Sequence, residues 1–139
     1  MIIAVTGWRH WTDSVFIQVS LRQTCERFGV PQGVPLHVRI GDAEGADEVV
    51  REWCTFHSVS HKVFAADWGR HGKAAGPIRN RQMLEGEGDL VTGPTELLLA
   101  FPGRHRPVKV PGSGSWGCCI EAALMGIRVE IPPYKHSGD

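Results

Sequence analysis

The stretch RIGDAEGAD, residues 39–47, joins VPLHV (34–38) to EVVREWCTFH (48–57). The first flank reads as extended. In the second, Ala46, Val49, Val50, Trp53 and Cys54 recur at helical spacing, so a helix runs to about residue 57. A strand that turns through glycines directly into a helix is the repeating unit of a parallel α/β sheet. Gly41 and Gly45 allow the backbone to come close to a ligand, and free N–H groups at the helix start attract an anion. Three acids in the same stretch, Asp42, Glu44 and Asp47, oppose an anion. Asp47 can instead accept hydrogen bonds from sugar hydroxyls, or simply cap the helix.

The pattern repeats on both sides of this unit. Residues 2–5 are a buried strand ending at Thr6-Gly7, and Asp13 opens a helix closed at Gly29. PQGVP (31–35) is a turn and residues 36–40 a strand. A third strand is predicted at 62–66, then a polar, glycine-rich loop, DWGRHGKAAGP (67–77). IRNRQMLEG (78–86) is a short helix starting near Pro77, LLLAF (97–101) a buried strand, and PGRHRPVKVPGSGSWG (102–117) a long basic loop. CCIEAALMG (118–126) is a helix, IRVEI (127–131) the last strand, and PPYKHSGD (132–139) a loose tail. The alternation predicts one Rossmann-like α/β domain over residues 1–131. Its mostly parallel sheet has about five strands, with helices on both faces. Four glycine-containing loops then converge beyond the carboxyl ends of the strands, where such sheets bind ligands.

Bulk properties narrow the function. The 139 residues carry fifteen basic and fifteen acidic side chains, so no whole-surface grip on nucleic acid is expected. No apolar run approaches a membrane span, and the start, MIIAVTGWRH, lacks the basic and apolar regions of a secretory signal. A cytoplasmic location is expected. The four cysteines, Cys25, Cys54, Cys118 and Cys119, form no CxxC pair and read as reduced residues on apolar faces. The seven histidines make no ligand pair, so neither a metal nor a cofactor is expected, although His10 or His71 can reach a phosphate from the crevice loops.

Candidate site residues come from each loop. After the first strand, Gly7 permits a tight turn, Arg9 can hold a phosphate, and Trp8 or Trp11 can stack on a base or merely cover the sheet edge. Asp67, Trp68, Arg79 and Asn80 form a further group, with a salt bridge as the plain alternative for Arg79. Gly103 and Gly112-Ser113-Gly114-Ser115 precede a helix, whose amides, dipole and hydroxyls make the best phosphate site in the chain. Arg104, Arg106 and Lys109 can close over a ligand or form an ordinary solvated loop.

Together VTGWRHWTD, GDAEGAD, ADWGRHGKAAGPIRNRQM and LLLAFPG resemble the SLOG superfamily of Rossmann-like domains, over nearly the whole chain. That group includes DprA-type DNA-processing proteins and LOG-type nucleotide phosphoribohydrolases; the likeness is strongest to its small stand-alone members. The resemblance implies a site for a nucleotide or nucleotide-derived ligand, and helix-face pairing in that group makes a dimer the expected assembly. The usual second loop there is Gly-Gly-Ala-Arg-Gly-Ala-Asp; here Asp42 replaces a glycine and Glu44 an arginine. Arg79 falls on the arginine that LOG enzymes use for binding and catalysis, and Asn80 replaces their lysine. Ser115 falls where their Pro-Gly-Gly-x-Gly-Thr loop has Thr, the loop here being split by RHRPVKV. Their following acid is missing, for residues 116–118 are Trp, Gly and Cys, and Glu121 lies a further turn along.

The expected function is therefore binding of a phosphorylated ribose compound, ADP-ribose-like or a cyclic nucleotide, as sensor, carrier or sequestering protein without catalysis. One alternative is a LOG-type N-glycosidase using Arg79 with Glu121, Glu44 or Asp67 as a stand-in acid. The other is DprA-like binding of single-stranded DNA, which the basic 104–109 loop and the tryptophans favour and the neutral charge does not.

Overall fold

The computed structural model describes residues 1–29, 35–104, 108 and 112–136. Among them, five strands form one parallel sheet: β1 (Ile2–Gly7), β2 (His37–Gly41), β3 (Ser60–Phe64), β4 (Leu97–Phe101) and β5 (Arg128–Glu130). Their order is β3-β2-β1-β4-β5, so the chain winds outward from β1 in both directions. Helices α1 (Ser14–Arg27) and α2 (Ala46–Phe56) cover one face; α4 (Ala75–Glu85) and α5 (Gly114–Leu124) cover the other. This is the predicted Rossmann-like α/β domain.

Side-chain alternation along the strands builds both cores. Ile3, Val5, Leu97, Leu99 and Phe101 point to α1 and α2, where Ile17, Leu21, Val50 and Cys54 meet them. Ala4, Leu98 and Ala100 point the other way, onto Met83, Leu84, Cys118 and Ala122. All four cysteines are buried and unbridged. Burial pushes the Cys118 thiol up to about 12, which leaves it unreactive.

Several elements differ from expectation. β3 lies two residues earlier than 62–66, because this edge strand buries only Phe64 and its pattern carries little register. The loop at 67–77 contains a short helix, α3 (Trp68–His71), and a 3₁₀ turn, Gly72–Ala74. Asp67 caps α3 by accepting from Arg70 N at 3.1 Å. α5 begins at Gly114, four residues before 118, and so absorbs Ser115 into its first turn. The tail is not loose where it is described. Tyr134 packs on Trp11 with ring centroids 4.7 Å apart and donates to Asp13 Oδ2 at 3.0 Å. Residues 31–34 of the predicted turn, and 105–107 and 109–111 of the basic loop, among them Arg106 and Lys109, lie outside the described residues.

Beneath the sheet, at the end away from the crevice, Arg39 is fully buried. It donates to Asp89 Oδ2 at 2.9 Å, to Thr95 Oγ1 at 3.2 Å, and to the carbonyls of Val91 and Gly93 at 3.0 and 2.9 Å. His37 bonds the same Asp89 oxygen at 2.7 Å, and its other ring nitrogen meets Ser60 Oγ at 2.7 Å. Burial disfavours the Asp89 carboxylate, but the bonds from Arg39 and His37 outweigh it and hold the carboxyl below its usual range. This network pins the 86–95 connection under the sheet.

Candidate functional site: a crevice at the carboxyl edge of the sheet

The loops after β1, β2, β3 and β4 enclose a cavity of about 1040 Å³ together with the starts of α4 and α5. It lies at the reversal of strand order, the usual place for a ligand in such a sheet. Its floor is formed by Thr6, Gly7, Gly41 and Asp47.

The quoted stretch forms the floor in a way the sequence does not reveal. Gly45 has φ +70, and a Cβ there would overlap the carbonyl of Arg9. The glycine is needed because the loop after β1 presses onto the start of α2. Trp8 O accepts the N–H of Ala46 at 3.2 Å, so a protein carbonyl already occupies part of the helix start where an anion would sit. The second loop is therefore no phosphate cradle. Asp47 does not cap its helix either. Its side chain turns inward with 4% of the residue exposed; Oδ2 accepts from Ala43 N at 3.2 Å, and Oδ1 is buried with no hydrogen-bond partner. Burial pushes its carboxyl up to about 6, against the opposing pull of Arg79 and the Ala43 bond.

Arg79 comes from α4 and is largely buried beside Asp47. It donates through Nη1 to Asp42 Oδ1 at 2.7 Å and through Nε to Asn80 Oδ1 at 3.0 Å. Asp42 stands outside the cavity lining, and its charge answers that of Arg79. Asn80 is also buried and donates to the carbonyls of Gly112 and Gly114 at 2.8 and 3.4 Å. It ties down the loop before α5, the part played by a positioning residue.

That loop delivers the second polar wall. Ser113, Gly114 and Ser115 line the cavity at the start of α5. Among the described residues the N–H groups of Gly114 and Ser115 have no partner, and Ser113 makes no side-chain cap. An 11-residue helix thus opens into the cavity with free amides and the positive end of its dipole. Lys73, which no motif singled out, lies on the rim with Arg9 and Arg104. Thr12 and Asp13, which end the VTGWRHWTD stretch, and Tyr134 and His136 are further lining residues not expected in the site; the last two reach it only through tertiary packing of the tail.

Trp8 and Trp68 line the cavity and are 38% and 59% exposed. Gly103 lies under Trp8, and a Cβ there would come within 2.8 Å of the indole. Trp11, the other stacking candidate, touches the cavity but is packed into the core: it is 6% exposed, and its Nε1 donates to Asp13 O at 2.8 Å. Gly45, Gly112 and Asp67 shape the loops without lining the cavity. Glu44 and Glu121 are also outside the lining; Glu121 faces Arg81 across 3.7 Å. None of the three stand-in acids is therefore inside, whereas Asp47 is. His10, which accepts from Arg9 Nε at 3.2 Å, and His71 also fall outside the lining.

No protein-family model matches the chain, and no solved structure matches it. Over 133 residues the chain is 32% identical to the Gene 61 protein of Mycobacterium phage D29, an alignment that covers 91% of this chain and 92% of that protein.

Proposed function

We propose, for a chain that belongs to the same family as the Gene 61 protein of Mycobacterium phage D29, that the crevice binds a nucleotide-derived small molecule. One juxtaposition carries the reading: Asp47, whose Oδ1 is buried without a hydrogen-bond partner, and the open start of α5 belong to the lining of the same cavity. The orphaned oxygen calls for a donor, and the free amides call for an acceptor. A phosphorylated ribose offers both in one molecule, hydroxyls to Asp47 and phosphate to Gly114 and Ser115. Trp8 and Trp68 supply faces on which a base stacks. The protein then acts as a sensor, carrier or sequestering protein.

A second reading rests on Asp47 itself. A buried carboxyl raised to about 6 is the kind of group that exchanges protons in catalysis, so N-glycosidic hydrolysis with Asp47 as the acid or base is the alternative. One experiment separates the two. The protein is incubated with a panel of nucleotides and nucleotide second messengers, and bound and released fractions are analysed by mass spectrometry. Intact ligand recovered after denaturation supports binding. Free base with ribose phosphate, lost in Asp47→Asn, replaces it with hydrolysis. Retention of single-stranded DNA alone, weakening steeply with salt, would overturn both.

A further inference from the structure

We propose that the crevice takes a ligand with two bases, of the dinucleoside-phosphate class, one base against each of two indoles on opposite walls. This deepens the nucleotide reading above and rests on it. The first observation is capacity. A volume of about 1040 Å³ sits at the upper end of the roughly 300–1,000 Å³ typical of sites for drug-sized ligands, so a single nucleotide leaves much of the space unfilled.

The second observation is the placement of Trp8 and Trp68. Trp8 follows β1 and lies over Gly103, which follows β4. Trp68 follows β3 and approaches Gly76 in the first turn of α4, its Cη2 3.3 Å from where a Cβ would stand. Strand order puts β3 on one side of the β2–β1 pair and β4 on the other. The two indoles are thus displaced to opposite sides of the floor on which Asp47 stands after β2. Each lines the cavity, and each keeps a third or more of its surface in solvent. Large aromatic rings left this open beside a polar floor lose water favourably when a flat partner covers them. A molecule with one base covers one indole. A molecule with two bases joined through ribose and phosphate covers both and lays its polar linker over Asp47 and the start of α5.

The test is isothermal titration calorimetry with defined probes: diadenosine and diguanosine 5′,5′-diphosphates against AMP and GMP. It uses the full chain and its Trp8→Leu and Trp68→Leu variants, with circular dichroism to verify folding. Stacking on one aromatic side chain is worth roughly 5- to 150-fold in affinity per base. At least one two-base probe is expected to bind more tightly than its mononucleotide by a factor in that range. Each substitution is expected to bring the two-base probe back toward the mononucleotide value, while the mononucleotide itself weakens in only one of the two variants. Mononucleotides binding as tightly as the two-base probes would overturn the proposal and leave the nucleotide reading standing. So would a folded Trp68→Leu protein that holds a two-base probe unchanged; Trp68 is the more exposed ring, so that variant tests stacking with the least disturbance of packing. Binding of none of the four probes would also overturn the two-base proposal, whereas the nucleotide reading falls only if the wider panel above yields no ligand.

Discussion

Arg79 Nη1 and Asp42 Oδ1 stand 2.7 Å apart at the edge of the crevice, and the guanidinium is much the more buried partner. Asp42 therefore tempers a positive charge that would otherwise act on any anionic ligand beside Asp47. Asp42→Asn keeps the shape and removes the opposing charge. Affinity for AMP, measured by calorimetry, is expected to rise by up to about tenfold, because the neutral amide still accepts from Arg79 but no longer offsets its charge. Stability should change by less than about 1 kcal/mol, since Asp42 is partly solvated. Unchanged affinity would assign Arg79 to packing alone.

Asp47 sets stability against binding. Its folded carboxyl titrates near 6, above the ordinary 3.8, so the folded chain holds a proton that the unfolded chain has released. Its contribution is fully present below about pH 4 and fades as pH rises to about 6, a loss of roughly 3 kcal/mol at most. Asp47→Asn is expected to melt higher than the parent protein at pH 7 to 8 and to lose that part of the slope. The same variant should bind ribonucleotides more weakly. Melting curves from pH 4 to pH 8 check the first expectation, and a pair of curves that run parallel would show that Asp47 does not titrate in this range.

The buried network beneath the sheet makes the opposite demand on pH. Asp89 has a depressed carboxyl, so its contribution is present above about pH 4 and is lost as pH falls further, through the folded value. Arg39→Met takes the charged donor from Asp89, which keeps His37, and leaves the carbonyls of Val91 and Gly93 without the guanidinium. The expected loss is about 3–5 kcal/mol in urea unfolding, with part regained in the Arg39→Met, Asp89→Asn double variant. A loss below about 1 kcal/mol would mean that water replaces the guanidinium.

Asn80→Ala severs the tie between α4 and the Gly112–Gly114 loop. It should cost about 1–3 kcal/mol and weaken phosphate-bearing ligands more than nucleosides, because the amides of α5 lose their fixed position. Equal weakening of AMP and adenosine, followed by fluorescence or calorimetry, would contradict a role in holding the phosphate wall.

The fold was legible because hydrophobic runs announced it. LLLAF gives β4 to the residue, and GDAEGAD gives the turn from β2 into α2. Legibility failed where glycine carried the structure: GSGSWG reads as loop, yet Gly114 to Gly117 are helical, and a Cβ at Gly117 would come within 2.6 Å of the Gly112 carbonyl carbon. In the crevice, residue types and loops were legible, but partners were not. That Trp8 O takes the Ala46 N–H, that Asp42 faces Arg79, and that Trp11 is core depend on contacts between distant segments. Arg39 shows the same limit from the other side, for a charge within a strand gives no sign that four acceptors await it.

Tyr134 and His136 place the end of the described chain on the wall of the cavity, with Tyr134 anchored to Asp13 and Trp11. A molecule that touches this wall must favour the anchored segment by as much as the anchored segment favours the molecule. Occupancy and protection of the 131–136 segment from proteolysis are then one equilibrium seen from two ends.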